Sequence, residues 1–235
     1  MSIAMLERAA QELAPFLDEV AFVGGATIAL WITDQGAPSP RVTKDVDLVV
    51  EVASRAGWYR FEERLRTHGL RNDSSSRVIC RWRAGSPGDE LLVDLMPGDA
   101  SILGFENRWQ RPALDHAETL PLPSGQQIRA ISPPYLLATK LEAWSGRGGG
   151  DHLRSHDLED VIRLVDARAE VVEEVDESSD DLRSYLSREI ETLVDQPRFL
   201  DAIDGTVVGF GRGRSGDGDR VEEIVLPRLR ALAER

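Results

Sequence analysis

The chain has one cysteine, two lysines and no apolar run approaching the length of a membrane span in its 235 residues. The lone cysteine, Cys80, excludes an internal disulfide and a cysteine-based zinc cluster, and fits a reducing compartment. Set in Val78-Ile79-Cys80, it reads as a buried structural thiol rather than a nucleophile. Glu7, Glu12, Asp18 and Glu19 stand where a signal peptide needs a basic start and an apolar centre, so a cytoplasmic location and no membrane partner are expected. Positive charge is also short. A net charge of −13 argues against a surface that binds nucleic acid without specificity. Of 28 basic residues only Lys44 and Lys140 are lysine. A compact ammonium serves phosphate oxygens differently from a planar guanidinium, which gives the placing of these two lysines its interest.

A hydrophobic content of 41% is enough for one large domain or two small ones. Charge is unevenly spread. Arg55 to Arg83 holds eight arginines against three acids, whereas Asp157 to Asp204 holds sixteen acids against five arginines. Such runs serve either as solvated helical faces or, for the basic one, as an approach surface for an acidic partner. Hydrophobic periodicity predicts a first helix over 3–18, a strand over 20–23, a helix over 26–33 and a strand over 42–52. An arginine-rich helix follows over 57–68, then strands over 77–83 and 90–95, an irregular stretch with a hairpin ending near Ile131, and helices from Ser132 onward. Residues 209–219 read as a linker before a last helix over 220–235. The shift near Ser132, from mixed elements to helix alone, divides 1–131 from 132–235.

Asp45 and Asp47 lie two apart in a β-branched run, so the strand period of two sets both carboxylates on one face. Like charges sharing so small a space call for a cation, and Mg²⁺ suits carboxylate oxygens, water and phosphates. The plainer alternative is a strand end whose aspartates face water. Asp94, inside Leu92-Val93-Asp94-Leu95-Met96, is expensive to bury unless paired and is a candidate third carboxylate. Gly24-Gly25 ends one strand and opens a helix, a place where bare N–H groups meet phosphate, or simply a tight turn. Lys44 falls on the opposite strand face from Asp45 and carries no catalytic expectation. Asp157 and Asp160 share a helical face behind Ser155, which also reads as ordinary helix-start chemistry.

Together these motifs resemble the minimal nucleotidyltransferases that share the DNA polymerase β palm, most nearly the bacterial AbiEii-like group with its toxins of toxin–antitoxin pairs. Phe22-Val23-Gly24-Gly25-Ala26 and Thr43-Lys44-Asp45-Val46-Asp47 resemble that group's first signature, and Asp94 before Leu95-Met96-Pro97 its third carboxylate. Ala138-Thr139-Lys140-Leu141-Glu142-Ala143, Gly146-Arg147 and Ser155 to Asp160 resemble its helical second half. The likeness covers roughly residues 20–166. Gly-Gly stands for the usual Gly-Ser, and 19 residues separate Gly25 from Asp45, more than in the tightest family members.

The resemblance implies an α+β fold: a palm-like mixed sheet with flanking helices in 1–131, then a helical region in 132–235 that completes the nucleotide site. It implies transfer of a nucleoside monophosphate from an NTP to an acceptor hydroxyl, on RNA, tRNA or protein, with an antitoxin as a further partner. In that reading Asp45 and Asp47 would hold one Mg²⁺, with Mn²⁺ as the alternative ion, and both would join Asp94 on a second. Asp94 is also the candidate base. The resemblance further implies that Gly24, Gly25, Lys140 and Arg147 receive the triphosphate and that Asp157 and Asp160 complete the nucleotide site. Two rivals stay open: a degenerate relative that binds a nucleotide or a partner without chemistry, and an unrelated α/β scaffold.

Overall fold

The apolar, β-branched runs around Val20–Val23, Asp45–Val50 and Asp89–Pro97 become strands. A computed structural model describes residues 2–39, 41–99, 102–104, 107–147, 150–209 and 220–235. It divides into two compact units, Met1–Leu30 with Arg41–Ser132, and Trp31–Pro40 with Pro133–Arg235.

The first unit holds a seven-stranded mixed sheet. Its strands are β1 (Val20–Val23), β2 (Asp45–Val50), β3 (Arg71–Asn72), β4 (Arg81–Ser86), β5 (Asp89–Pro97), β6 (Glu118–Pro121) and β7 (Gln127–Ala130), in the spatial order β3-β4-β5-β2-β1-β7-β6. The pairs β2–β5 and β1–β7 are parallel, and the others antiparallel. All four residues of β1 are buried, as are Val46, Leu48, Val49 and Val50 of β2, so the centre of the sheet is covered. Gly85, near the end of β4, and Gly88, in the turn to β5, take positive φ of 91° and 90°, which lets the two strands fold back on each other.

Helix α1 (Ser2–Glu12), α2 (Arg55–His68) and α3 (Gln110–Asp115) accompany the sheet. Ser54 caps α2 by accepting from the Gly57 N–H at 3.1 Å, and Gly69, with φ of 105°, ends it. Two differences from the sequence reading stand out. The expected helix over 26–33 is a 3₁₀ segment, Gly25–Leu30, and α3 lies where irregular structure was expected. Gly25 to Ile28 are all buried, so no polar face sets a helical period there, and α3 is too short to show one.

The second unit is helical: α4 (Pro133–Gly146), α5 (His156–Ala167), α6 (Val171–Asp176), α7 (Asp180–Val194), α8 (Pro197–Asp204) and α9 (Leu226–Ala233). The first turns of α5 and α7 are capped by Ser155 and Ser179. The segment from Trp31 joins this unit because the Thr33 and Asp34 N–H groups both donate to the Ala167 carbonyl at 3.0 Å. Arg220 strengthens the tie, donating to Asp34 at 2.9 Å and to Asp166 at 2.5 Å. Most of the linker expected over 209–219 lies outside the described residues.

Candidate active site

Strand register brings the three aspartates together. β2 runs parallel to β5 with Asp47 opposite Asp94 and Asp45 opposite Leu92, so Asp45, Asp47 and Asp94 project from the same face of two neighbouring strands. Asp94 is buried, while Asp45 and Asp47 are partly exposed. β1 closes the other side of β2, with Val23 opposite Asp47.

The turn after Val23 is shaped by this arrangement. Gly24 has φ of +74°, and a Cβ placed on it would lie 2.0 Å from Asp47 Oδ2 and 2.8 Å from Asp47 Cγ. No side chain fits there. Glycine is therefore required twice, for the backbone region and for the approach of the carboxylate. Thr27 locks the turn by donating from its N–H and its Oγ1 to the Gly24 carbonyl at 3.2 and 2.7 Å. The short 3₁₀ segment that begins at Gly25 gives a weaker axial dipole than the helix the sequence suggested.

One residue of the site escaped the sequence reading. Arg81 opens β4 in register with Asp94, so its side chain joins the carboxylate face. Its Nε and Nη2 donate to Asp94 Oδ1 and Oδ2, both at 2.8 Å, and Nη2 also grips Asp45 Oδ2. Asp94 leads in pushing the Arg81 pKa up, and Asp45 adds to it. In the sequence Arg81 counted only as one charge in a basic stretch. Its signal was the alternation Arg81-Trp82-Arg83-Ala84, where the buried Trp82 and Ala84 leave both arginines on the other face.

The second unit carries its own charged cluster. Lys140 on α4 sets its Nζ 2.7 Å from Asp160 Oδ2 and 3.5 Å from Asp157 Oδ1, and Arg147 Nη1 lies 3.2 Å from Asp157 Oδ2. Asp160 and Asp157 are buried in the first turns of α5, and Lys140 is largely covered, whereas the Arg147 side chain is 69% exposed. The four residues expected to serve the nucleotide from the helical region are therefore one network of two cations and two carboxylates.

A family profile decides what this combination belongs to: that of the nucleotidyl transferase AbiEii toxin, type IV toxin–antitoxin system, matches residues 8–207. The chain belongs to the AbiEii family. Two solved structures share its fold. An antigenic nucleotidyltransferase-like protein from Paracoccidioides brasiliensis is 20% identical, with a TM-score of 0.50 over 86% of this chain and 92% of that one. A protein from H. pylori described as a nucleotidyltransferase is 10% identical, with a TM-score of 0.51 over 99% of this chain and 93% of that one. No curated protein matches the chain. The α+β, nucleotidyltransferase-like architecture with a helical C-terminal region agrees with the expectation.

In this AbiEii protein the donor set at Asp45, Asp47 and Asp94 is all oxygen and anionic, which is the chemistry Mg²⁺ and Mn²⁺ take. A cation, the Arg81 guanidinium, already lies against two of the three carboxylates. Among the described residues no three acidic, histidine or cysteine side chains stand at ready-made metal-ligand spacing. The fit is in donor type and facing, with Arg81 in the shared space.

The basic stretch is less free than its net charge suggested. Arg64 pairs with Glu19 through two contacts of 2.6 and 2.7 Å, Arg71 and Arg83 both pair with Glu90, Arg83 also with Asp73, and Arg66 reaches Glu62 and Glu63. Those pairings offset part of the positive charge of the stretch read as an approach surface for an acidic partner. Cys80 is buried as expected, and burial, reinforced by the Asp94 and Asp47 charges, pushes its pKa up to about 12. Among the described residues no helix is long and apolar enough to cross a membrane.

Proposed function

We propose that the chain transfers a nucleoside monophosphate from an NTP to an acceptor hydroxyl and releases pyrophosphate. The observation that carries this reading is the register of β2 on β5, which lines up Asp45, Asp47 and Asp94 on one face in a chain of the AbiEii family. Bound at these carboxylates, Mg²⁺ or Mn²⁺ supplies electrostatic stabilisation of charge on the phosphates and a lower pKa for the attacking oxygen. Asp94 accepts the acceptor's hydroxyl proton. The new O–P bond forms at the α-phosphorus as the bond to the bridging oxygen breaks, and the electron pair leaves with pyrophosphate. Gly24 and Gly25 receive phosphate oxygens on backbone N–H groups, and Lys140 and Arg147 neutralise the departing charge, with Asp157 and Asp160 holding those two cations in position.

The acceptor is RNA, with tRNA as one candidate, or a protein side chain, and the biological setting is that of a cytoplasmic toxin restrained by an antitoxin. The arginine stretch, with Arg64, Arg66, Arg71 and Arg83 paired to acids, does not choose between RNA and protein. A second reading has a specific observation in its favour: Arg81, bound to Asp45 and Asp94, suits a relative that binds nucleotide or a partner without chemistry. Incubation with each labelled NTP, Mg²⁺ or Mn²⁺, and whole-cell RNA and protein separates them. A labelled RNA or protein band, lost in Asp47→Asn, supports transfer; nucleotide binding without any labelled band selects the second reading.

A further inference from the structure

Arg81 grips two of the three proposed metal ligands with a bidentate contact to Asp94 and a third donor on Asp45. Its backbone is fixed on both sides: its N–H donates to the Val78 carbonyl at 3.3 Å, and its own carbonyl accepts from Asp73 at 2.9 Å. The side chain is 18% exposed, so it has a route to solvent. A divalent ion on the carboxylate oxygens and a guanidinium hydrogen-bonded to the same oxygens would lie within a few ångströms of each other, where like charges repel strongly. Both cannot hold Asp94 and Asp45 in this geometry.

A displaced guanidinium stays charged at any accessible pH and needs a new anion. The incoming triphosphate is such an anion, and phosphate accepts a planar fork bidentately as carboxylate does. We infer that Arg81 is a phosphate-binding residue of the transfer site, which occupies the metal's place until the nucleotide arrives and then passes from Asp45 and Asp94 to the triphosphate. This inference rests on the transfer reading. Metal and nucleotide then bind cooperatively, because each provides what the other's arrival leaves unpaired, and linkage makes the coupling reciprocal.

The test is Mn²⁺ binding followed by electron paramagnetic resonance, without nucleotide and with a non-hydrolysable α,β-methylene NTP. Wild type is expected to bind Mn²⁺ weakly alone and at least tenfold more tightly with the analogue. In Arg81→Gln, Mn²⁺ alone binds at least tenfold more tightly than in wild type, and the analogue no longer adds tenfold. Arg83→Gln, on the same strand as Arg81, is the control for loss of a nearby positive charge, since Arg83 pairs with Asp73 and Glu90 instead, and it should leave both values unchanged. Arg81→Lys, which keeps the charge and loses the fork, gives an intermediate Mn²⁺ affinity and serves if the glutamine variant does not fold. Equal Mn²⁺ affinity in wild type and the Arg81 variants, or unchanged coupling to the analogue, overturns the inference while leaving the metal site in place. No Mn²⁺ binding in any variant removes the transfer reading itself, and the inference with it.

Discussion

Gly24 and Asp47 occupy one space: the position of a Gly24 Cβ is 2.0 Å from Asp47 Oδ2. Gly24→Ala must therefore move the carboxylate as well as strain a backbone at φ of +74°. The strain costs about 1–3 kcal/mol, within reach of a fold that stays intact. Displacing Asp47 should lower Mn²⁺ affinity at least tenfold. Urea unfolding together with Mn²⁺ titration checks both, and a folded Gly24→Ala variant with wild-type Mn²⁺ affinity would remove Asp47 from the metal site.

The acids and the glycine turn were legible because each depends on local spacing. Asp45 and Asp47 share a face by strand period alone, and Ser155 announces the start of α5 three residues before the N–H it caps. Arg81 was not legible as a site residue. Its role arises from β4 lying against β5 and β5 against β2, a set of long-range pairings that no local pattern encodes. For the same reason the burial of Asp157 and Asp160 beside Lys140 was hidden, since it depends on how α4 packs on α5.

The two partners of the β2–β5 register should respond differently to amidation. Asp94 is buried and carries both 2.8 Å contacts from Arg81, so Asp94→Asn leaves a partly buried guanidinium with Asp45 as its remaining acid in this trio. A loss of about 2 kcal/mol is expected, below the 3–5 kcal/mol typical of a fully buried broken pair because Arg81 keeps Asp45 and some solvent. Asp47→Asn, by contrast, removes a partly exposed charge and relieves like-charge repulsion with Asp45 and Asp94, so its loss of stability should be the smaller of the two. Both should abolish labelling of the acceptor. A destabilised Asp47→Asn beside an unperturbed Asp94→Asn would contradict the assignment of Arg81's partners.

Cys80 offers a pH-dependent probe of the first unit. Burial first, then the charges of Asp94 and Asp47, raises its pKa from 9.0 to about 12. The sign follows from linkage: above its unfolded value the thiol ionises freely only in the unfolded chain, so folding stability falls as pH rises from about 9 towards 12. Cys80→Ala should remove that part of the alkaline slope. At pH 8 the native thiol should resist iodoacetamide and react only on unfolding, and rapid labelling of the native protein would show that Cys80 is not held in this environment.

Lys140 answers to two demands that can be separated. Its Nζ lies 2.7 Å from the buried Asp160 and 3.5 Å from Asp157, so removing it takes a cation away from a carboxylate whose side chain is 1% exposed. Lys140→Ala should then destabilise the second unit by about 3 kcal/mol, the lower end for a broken buried pair, since Arg147 still faces Asp157. The double variant Lys140→Met/Asp160→Asn removes both charges of the closest pair and should recover most of that stability. If Lys140 acts only by holding α4 to α5, NTP affinity returns with stability in the double variant. If it also neutralises the triphosphate, as proposed, NTP binding stays weakened at least tenfold although the urea midpoint is restored. Lys140→Arg tests the same point from the other side: it keeps the charge, but a planar fork does not fit the place of a compact ammonium between two carboxylates, so NTP affinity should recover in part. Wild-type NTP affinity in the folded double variant would assign Lys140 to architecture and leave Arg147, largely exposed, as the cation of this cluster that meets phosphate.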